Sequence, residues 1–368
     1  MAALPGLTAL VALLFTWLSV GQTRTELRIA EQGQITNRFN SAINNLGSGS
    51  VDVRLGGIYA LQRIMQDSTR DQPVIISVLS AYARRNARIP ATGFAKEKGD
   101  PADRVLSPVR PATDVEAVIN VLAARSANRD GRAALDLTRT DLRGAQVYGR
   151  VGRGDTPDSA APFRTANFSE ADLRYSSFSM TNLHKAGFVR ANLAWAYFDG
   201  VDLSGAVLES ADLTSTTIWN ADLTGADLNY AKLHNAQLEV ATNLTKVTLL
   251  EADLTGADLE DANLHNAALI GANLRGAYLA NAKLHGARFS NVDQEALSDE
   301  FGWYIDRNGN LVKADLTGAD LTNADLRGVD LTDAILTDAD LRGAKLTGAK
   351  LTRTKLNGAR GLPPSLHP

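Results

Sequence analysis

Cysteine is absent from the 368 residues, which removes disulfides, thiolate nucleophiles and Cys-ligated zinc or iron–sulfur centres together. Histidine occurs five times and aromatic residues make up 6%, so histidine-built metal sites and platforms for stacked bases have little to draw on. Neither sign of charge dominates. Thirty-eight Lys and Arg stand against 41 Asp and Glu, a net charge of −3, which argues against a polybasic nucleic-acid binder. A 44% share of hydrophobic residues is ample for a buried core in two or three domains.

What is present begins with an uncharged run from Ala2 to Val20, about 28 Å long as a helix and close to the hydrocarbon thickness of a bilayer. Residues 1–22 therefore read as one N-terminal transmembrane helix. A cleaved signal peptide is the alternative, because Ser19-Val20-Gly21 resembles a small-x-small cleavage site, although no basic stretch precedes the run. Arg24 and Arg28 follow it. The positive-inside rule then predicts a single-pass protein of the cell membrane with the bulk of the chain cytoplasmic; the signal-peptide alternative makes it secreted.

Residues 23–130 carry helical periodicity and read as a small helical adaptor or cap. Ile35, Phe39, Ala42, Ile43 and Leu46 form one stripe, ended by Gly47-Ser48-Gly49, and Val51, Leu55, Ile58, Leu61, Ile64 and Met65 form a second. A third helix starts near Asp71 and Pro73 and turns Val74, Val78, Leu79 and Tyr82 inward. A fourth opens on the capping-box pattern Thr113-Asp114-Val115-Glu116. Pro90 to Pro111 lies between them as an exposed loop.

Residues 131–361 are dominated by a period of five: a small residue, Asp or Asn, Leu or Phe, a polar residue, then often Gly. Thirty-five repeats are in phase, centred on Phe163 to Leu238, Leu244 to Phe289 and Leu316 to Leu356; Ile218 is the one centre that is neither Leu nor Phe. Leu137, Leu142 and Val147 mark three degenerate repeats ahead of them. Insertions fall at 148–160 and 290–310, and 362–368 form a tail. A period of five fits neither helix nor strand, but a coil that turns a corner every five residues can face one small and one large apolar side chain inward per edge. Such self-similarity marks a solenoid.

Ala221-Asp222-Leu223-Thr224-Gly225 and Ala252-Asp253-Leu254-Thr255-Gly256 resemble the pentapeptide-repeat family. The resemblance implies a mainly β fold, a right-handed quadrilateral β-helix with four repeats per coil. Gly33 to Phe39 and Asp52 to Leu61 resemble the membrane-anchored actinobacterial members. Four repeats per coil place residues 20 apart on neighbouring rungs. Phe168 should then stack on Phe188 and Phe178 on Phe198, with Leu223 inside like every other centre. Asp212 with Lys232, Asp325 with Lys345 and Asp330 with Lys350 become opposite-charge rungs.

Chemistry is sparse. His265 and His285 lie 20 apart without an evident third metal ligand. The Asp and Asn recur with the period, as corner-forming residues do, and not as an acid/base pair. Gly149, Gly152 and Gly154 are not followed by Gly-Lys-Ser/Thr, the sign of a phosphate cradle, and Arg153-Gly154-Asp155 is a chance match. No cofactor, metal or enzymatic activity is expected. The 290–310 insertion holds Phe301, Trp303, Tyr304 and Ile305 ahead of an Asn-Gly turn signal; these residues either meet a partner protein or pack back on the coil. The expected function is a membrane-tethered scaffold for protein–protein interaction. A branch of the family that mimics duplex DNA, binds gyrase and protects it from quinolones supplies the alternative. Residues 136–361 hold 30 acidic and 22 basic side chains, as mimicry needs, but the basic cluster Lys345, Lys350, Arg353, Lys355 and Arg360 counts against it.

Overall fold

A computed structural model describes residues 4–90, 109–149, 163–238, 241–289 and 313–364, the side chains only sparsely before Glu26. The chain divides into two compact units, residues 1–72 and 73–368, so the boundary falls within the stretch 23–130.

The first unit is a helix pair, α1 (Leu4–Leu46) and α2 (Val51–Asp67). The break between them falls at Gly47 to Ser50. The helices approach backbone to backbone at Gly57, where a Cβ would stand 2.8 Å from the Ala42 carbonyl oxygen. The span expected over residues 2–20 is not found: among the described residues no helix is long and apolar enough to cross a membrane. Most side chains of 2–20 lie outside the described residues, while α1 runs on unbroken through Arg24, Glu26, Arg28 and Glu31.

The second unit opens with α3 (Gln72–Asn86) and α4 (Thr113–Ala123). Ile75, Ile76, Leu79, Tyr82 and Ala83 are buried in α3, whereas Val74 is 55% exposed. The inward stripe is thus rotated from the expected one, because the helix also turns its Ile75 and Ile76 pair into the core. The capping box does not form either. Ala112 is the N-cap and its methyl group offers no acceptor, while Asp114 is buried and accepts a 2.5 Å hydrogen bond from the Tyr82 hydroxyl. The segment after α3 bonds to the first coil: Arg88 bridges Thr140 antiparallel, Asp141 N donates to Ala87 O, and Arg84 pairs with Asp136 at 2.8 Å. These contacts cover the edge of the first coil, whose backbone groups would otherwise lie open.

Beyond the cap the chain winds as a parallel β-coil. Bridges run at intervals of 20 residues, from Asn167 with Gly187 to Asp340 with Arg360. On one face four short strands reach regular length: β1 (Gln146–Tyr148), β2 (Ser177–Ser179), β3 (Tyr197–Asp199) and β4 (Thr217–Trp219), parallel in that order. Where the repeat slips, the interval stretches to 31 (Asp136 with Asn167), 21 (Asp222 with Asn243) and 42 (Asn273 with Asp315). The stacking register survives each slip.

One repeat shows why the period is five. Successive N–H groups each have a different partner: Asp222 N donates to Val201 O below, Leu223 N to Asn243 O above, and Thr224 N to its own repeat's Asp222 Oδ1. Gly225 N then donates to Thr245 O above and Ala226 N closes the turn on Leu223 O. An Asp or Asn before the centre satisfies the third donor from within the repeat, which explains the recurrence of that residue; where Thr248 precedes the centre, Leu250 N donates instead to Asn229 Oδ1 of the neighbouring coil. At every described repeat from Phe163 on, the residue two after the centre takes positive φ, 65° at Gly225, as a type II turn requires. Centres and small residues fill the interior; Leu223, Ala226, Leu228 and Ala236 are 0% exposed. Phe168 lies on Phe188 at 5.1 Å and Phe178 on Phe198 at 5.2 Å, each pair within 6° of parallel.

Candidate interaction surface

Side chains on the outside come from three positions of each repeat: the residue before the centre and the two after it. Most are short and polar. Tyr230 and Tyr278 are exposed singly, and the largest group of exceptions is on the β1 to β4 face and its corners. Tyr148, Tyr197 and Trp219 stand on the strands, and Tyr175, Met180 and Trp195 occupy corners. Tyr148 is 60%, Met180 52% and Trp195 37% exposed, and the other three are half-buried. Tyr175 and Trp195 stack at 5.5 Å and 10°, while Tyr197 meets Trp219 edge-on at 5.7 Å. Asn220 donates to Asp199 Oδ1 at 3.0 Å on the same face. Tyr175, Met180 and Trp195 hold φ of 60°, 51° and 58°, a region bulky L residues avoid.

Electrostatics around this face are largely neutralised. Arg174 and Asp172, both buried, pair at 2.5 Å next to Tyr175. Arg143 forks onto Asp141; burial raises the Asp141 pKa, but the guanidinium outweighs it and the net direction is down. Elsewhere, Asp330 and Lys350 form an ion pair at 3.4 Å, as their 20-residue spacing predicts. Asp212 and Lys232 face each other in register without closing an ion pair among the described residues. Asp325 likewise faces Lys345 but is taken by Arg327, two residues along its own chain, whose planar fork reaches both carboxylate oxygens. That bond, first among its causes, holds the Asp325 pKa at about 2. Corner residues supply ion pairs the sequence reading missed: Arg353 with Asp333, and Glu170 between Arg139 and Arg190.

The expected contact residues Phe301, Trp303, Tyr304 and Ile305 lie outside the described residues, as do most of the 90–111 loop and of the 148–160 insertion. His265 and His285 stack at 5.2 Å. Among the described residues no group of three or more His, Asp or Glu side chains is placed to hold a metal ion. Signals for the aromatic face were present in the sequence as bulky side chains at outward positions of the period.

A family profile described as pentapeptide repeats matches residues 166–205, 206–239, 257–293, 307–338 and 324–360. The chain belongs to the pentapeptide-repeat family. Among solved structures this repeat protein is similar to HetL, a pentapeptide repeat protein involved in heterocyst differentiation regulation from the cyanobacterium Nostoc, with 30% identity over 61% of this chain and 88% of that one and a TM-score of 0.24. It is similar as well to QnrB1, a plasmid-mediated fluoroquinolone resistance protein, at 17% identity over 52% and 84%, TM-score 0.31. A pentapeptide repeat protein of the Arabidopsis thaliana thylakoid lumen is 34% identical over 30% and 66%, TM-score 0.17. Among curated proteins none matches.

Proposed function

We propose that this protein is a non-enzymatic scaffold that binds a protein partner through the β1 to β4 face. Tyr148, Tyr175, Met180, Trp195, Tyr197 and Trp219, gathered on neighbouring coils with two ring pairs among them, carry the reading. Trp and Tyr dominate binding hot spots because they bury much area at little entropic cost. Tyr175 and Trp195 carry the same strained positive φ as Lys185, Arg190 and most other corners of the coil. Replacing both with Gly relieves that strain, so Tyr175→Gly/Trp195→Gly should melt close to wild type yet lose the protein that wild type captures by photo-crosslinking from Tyr148. Identical captured proteins would exclude this face. The 290–310 segment with Trp303 is the second proposed contact, and its deletion is the matching experiment.

The tether is part of the proposal. It rests on the uncharged run Ala2 to Val20 and on the resemblance of the N-terminal motifs to membrane-anchored family members. Alkaline extraction should leave the full chain in the membrane pellet; release into the supernatant favours the secreted alternative. The gyrase alternative is supported by the acidic excess of residues 136–361, 30 against 22. Much of that charge is already engaged, as in Asp325 with Arg327 and Asp333 with Arg353, and the last coil turns Lys345, Lys350, Lys355 and Arg360 outward. Failure of the purified chain to inhibit gyrase supercoiling removes this alternative.

A further inference from the structure

The two ends of the coil are finished differently. The segment after α3 covers the first coil, through Arg88 with Thr140 and Asp141 N with Ala87 O. On the last coil, Ala344 to Arg360, the centres Leu346, Leu351 and Leu356 are only half-buried, whereas Leu326, Leu331 and Leu336 one coil earlier are 0% exposed. Leu362 is buried, and Pro363-Pro364 after it has no N–H with which to extend the ladder.

This end presents backbone donors and charge of one sign. Leu326 N, Leu331 N and Leu336 N donate to the carbonyls of Lys345, Lys350 and Lys355. The same groups of Leu346, Leu351 and Leu356 make no backbone hydrogen bond among the described residues. Before the centres of the last coil stand Lys345, Lys350, Lys355 and Arg360, where most repeats have Asp or Asn, and no acidic residue follows Asp340. Lys350 pairs with Asp330 one rung below. Asp325 and Asp340, beneath Lys345 and Arg360, are held by Arg327 and Arg342, and Lys355 lies over Ile335.

We infer that this end of the coil is the docking site for an extended, acidic segment of a partner protein. The segment adds its backbone as the next rung, sets apolar side chains on the open leucines, and brings Asp or Glu to the four basic positions. Asp330 with Lys350 at 3.4 Å is the same pairing made within the chain. Two copies meeting end to end would set Lys and Arg against Lys and Arg, so the charges that attract an acidic chain bar a second copy. A nucleic acid would meet the charges but leave the leucines in water. The site does not depend on the β1 to β4 face.

Fluorescence anisotropy on the full chain in detergent tests the inference, with a labelled (Ala-Asp-Leu-Thr-Gly)4 peptide as the probe. It should bind, and a scrambled peptide of the same composition or the (Ala-Lys-Leu-Thr-Gly)4 peptide should not. Lys345→Glu/Lys355→Glu reverses two exposed charges that hold no ion pair, so it should melt like wild type and weaken binding about tenfold or more. Equal binding of the scrambled peptide would reduce the effect to charge and overturn strand addition. No binding of the acidic repeat, or binding that ignores the double variant, overturns the site. So does a wild-type dimer that this variant changes, or preference for a 20-nucleotide single strand over the peptide, since each gives this end another occupant.

Discussion

At the scale of single residues, the corner position two after each centre decides what the coil tolerates. Gly225 has φ 65° and open space where a Cβ would go, so Gly225→Ala costs only the left-handed backbone penalty, about 1 kcal/mol. Gly149 is different, since its Cβ would land on the Met180 carbonyl; Gly149→Ala should cost about 3 kcal/mol or more. Chemical denaturation of the two variants checks both figures, and equal midpoints would show that space does not matter there. Several corners pair long with short along the axis, although Tyr175 with Trp195 and Arg353 with Asp333 set a side chain on both corners. A long corner side chain leans over the next coil, where Gly leaves room: Met180 under Gly200 and Asn235 under Gly256. Frequent Gly was legible as a corner signal, but its alternation with long residues 20 or 21 positions away was not, because it requires knowing which corners stack.

Within an element, here a single coil, polar contacts set register and respond to acid. Asp325, Asp333 and Asp340 all have lowered pKa values, each chiefly through a hydrogen bond from an arginine. Their folded-state values lie below the unfolded ones, so the stabilisation is complete only well above the ordinary carboxylate value and is lost as pH falls through the folded value, about 2 for Asp325. Thermal melting should show that loss, and Arg327→Gln should flatten its share of it; an unchanged acid profile in the variant would disconnect Asp325 from stability. The exposed positions of these arginines keep each effect small. The period, the inward centres, the phenylalanine stacks and the 20-residue rungs could be read directly, since they follow from spacing alone. Which rung closes into an ion pair could not, because Arg327 competes from two residues away. The missing capping box at Thr113 has a similar origin: Asp114 is drawn to the Tyr82 hydroxyl, a partner 32 residues away.

Across the whole second unit, stability is a sum of neighbouring coils, since each coil buries its interior only against those beside it. Leu223 is 0% exposed, and Leu223→Asp should cost about 3 to 5 kcal/mol by burying an unpaired charge. Circular dichroism melting measures that loss, and a wild-type curve would contradict the inward placement of the centres. Part of the aromatic face was legible, since Tyr175 and Trp195 lie 20 apart, but Tyr197 with Trp219 was not, because that pair joins different positions of the repeat. The 20-residue interval also has a mechanical consequence. Pulled from its ends in an optical trap, the coil should come apart one turn at a time, each turn releasing about 70 Å of chain at about 3.5 Å per residue. The turn that joins Asn273 to Asp315 spans 42 residues and should appear as a single step of about 150 Å.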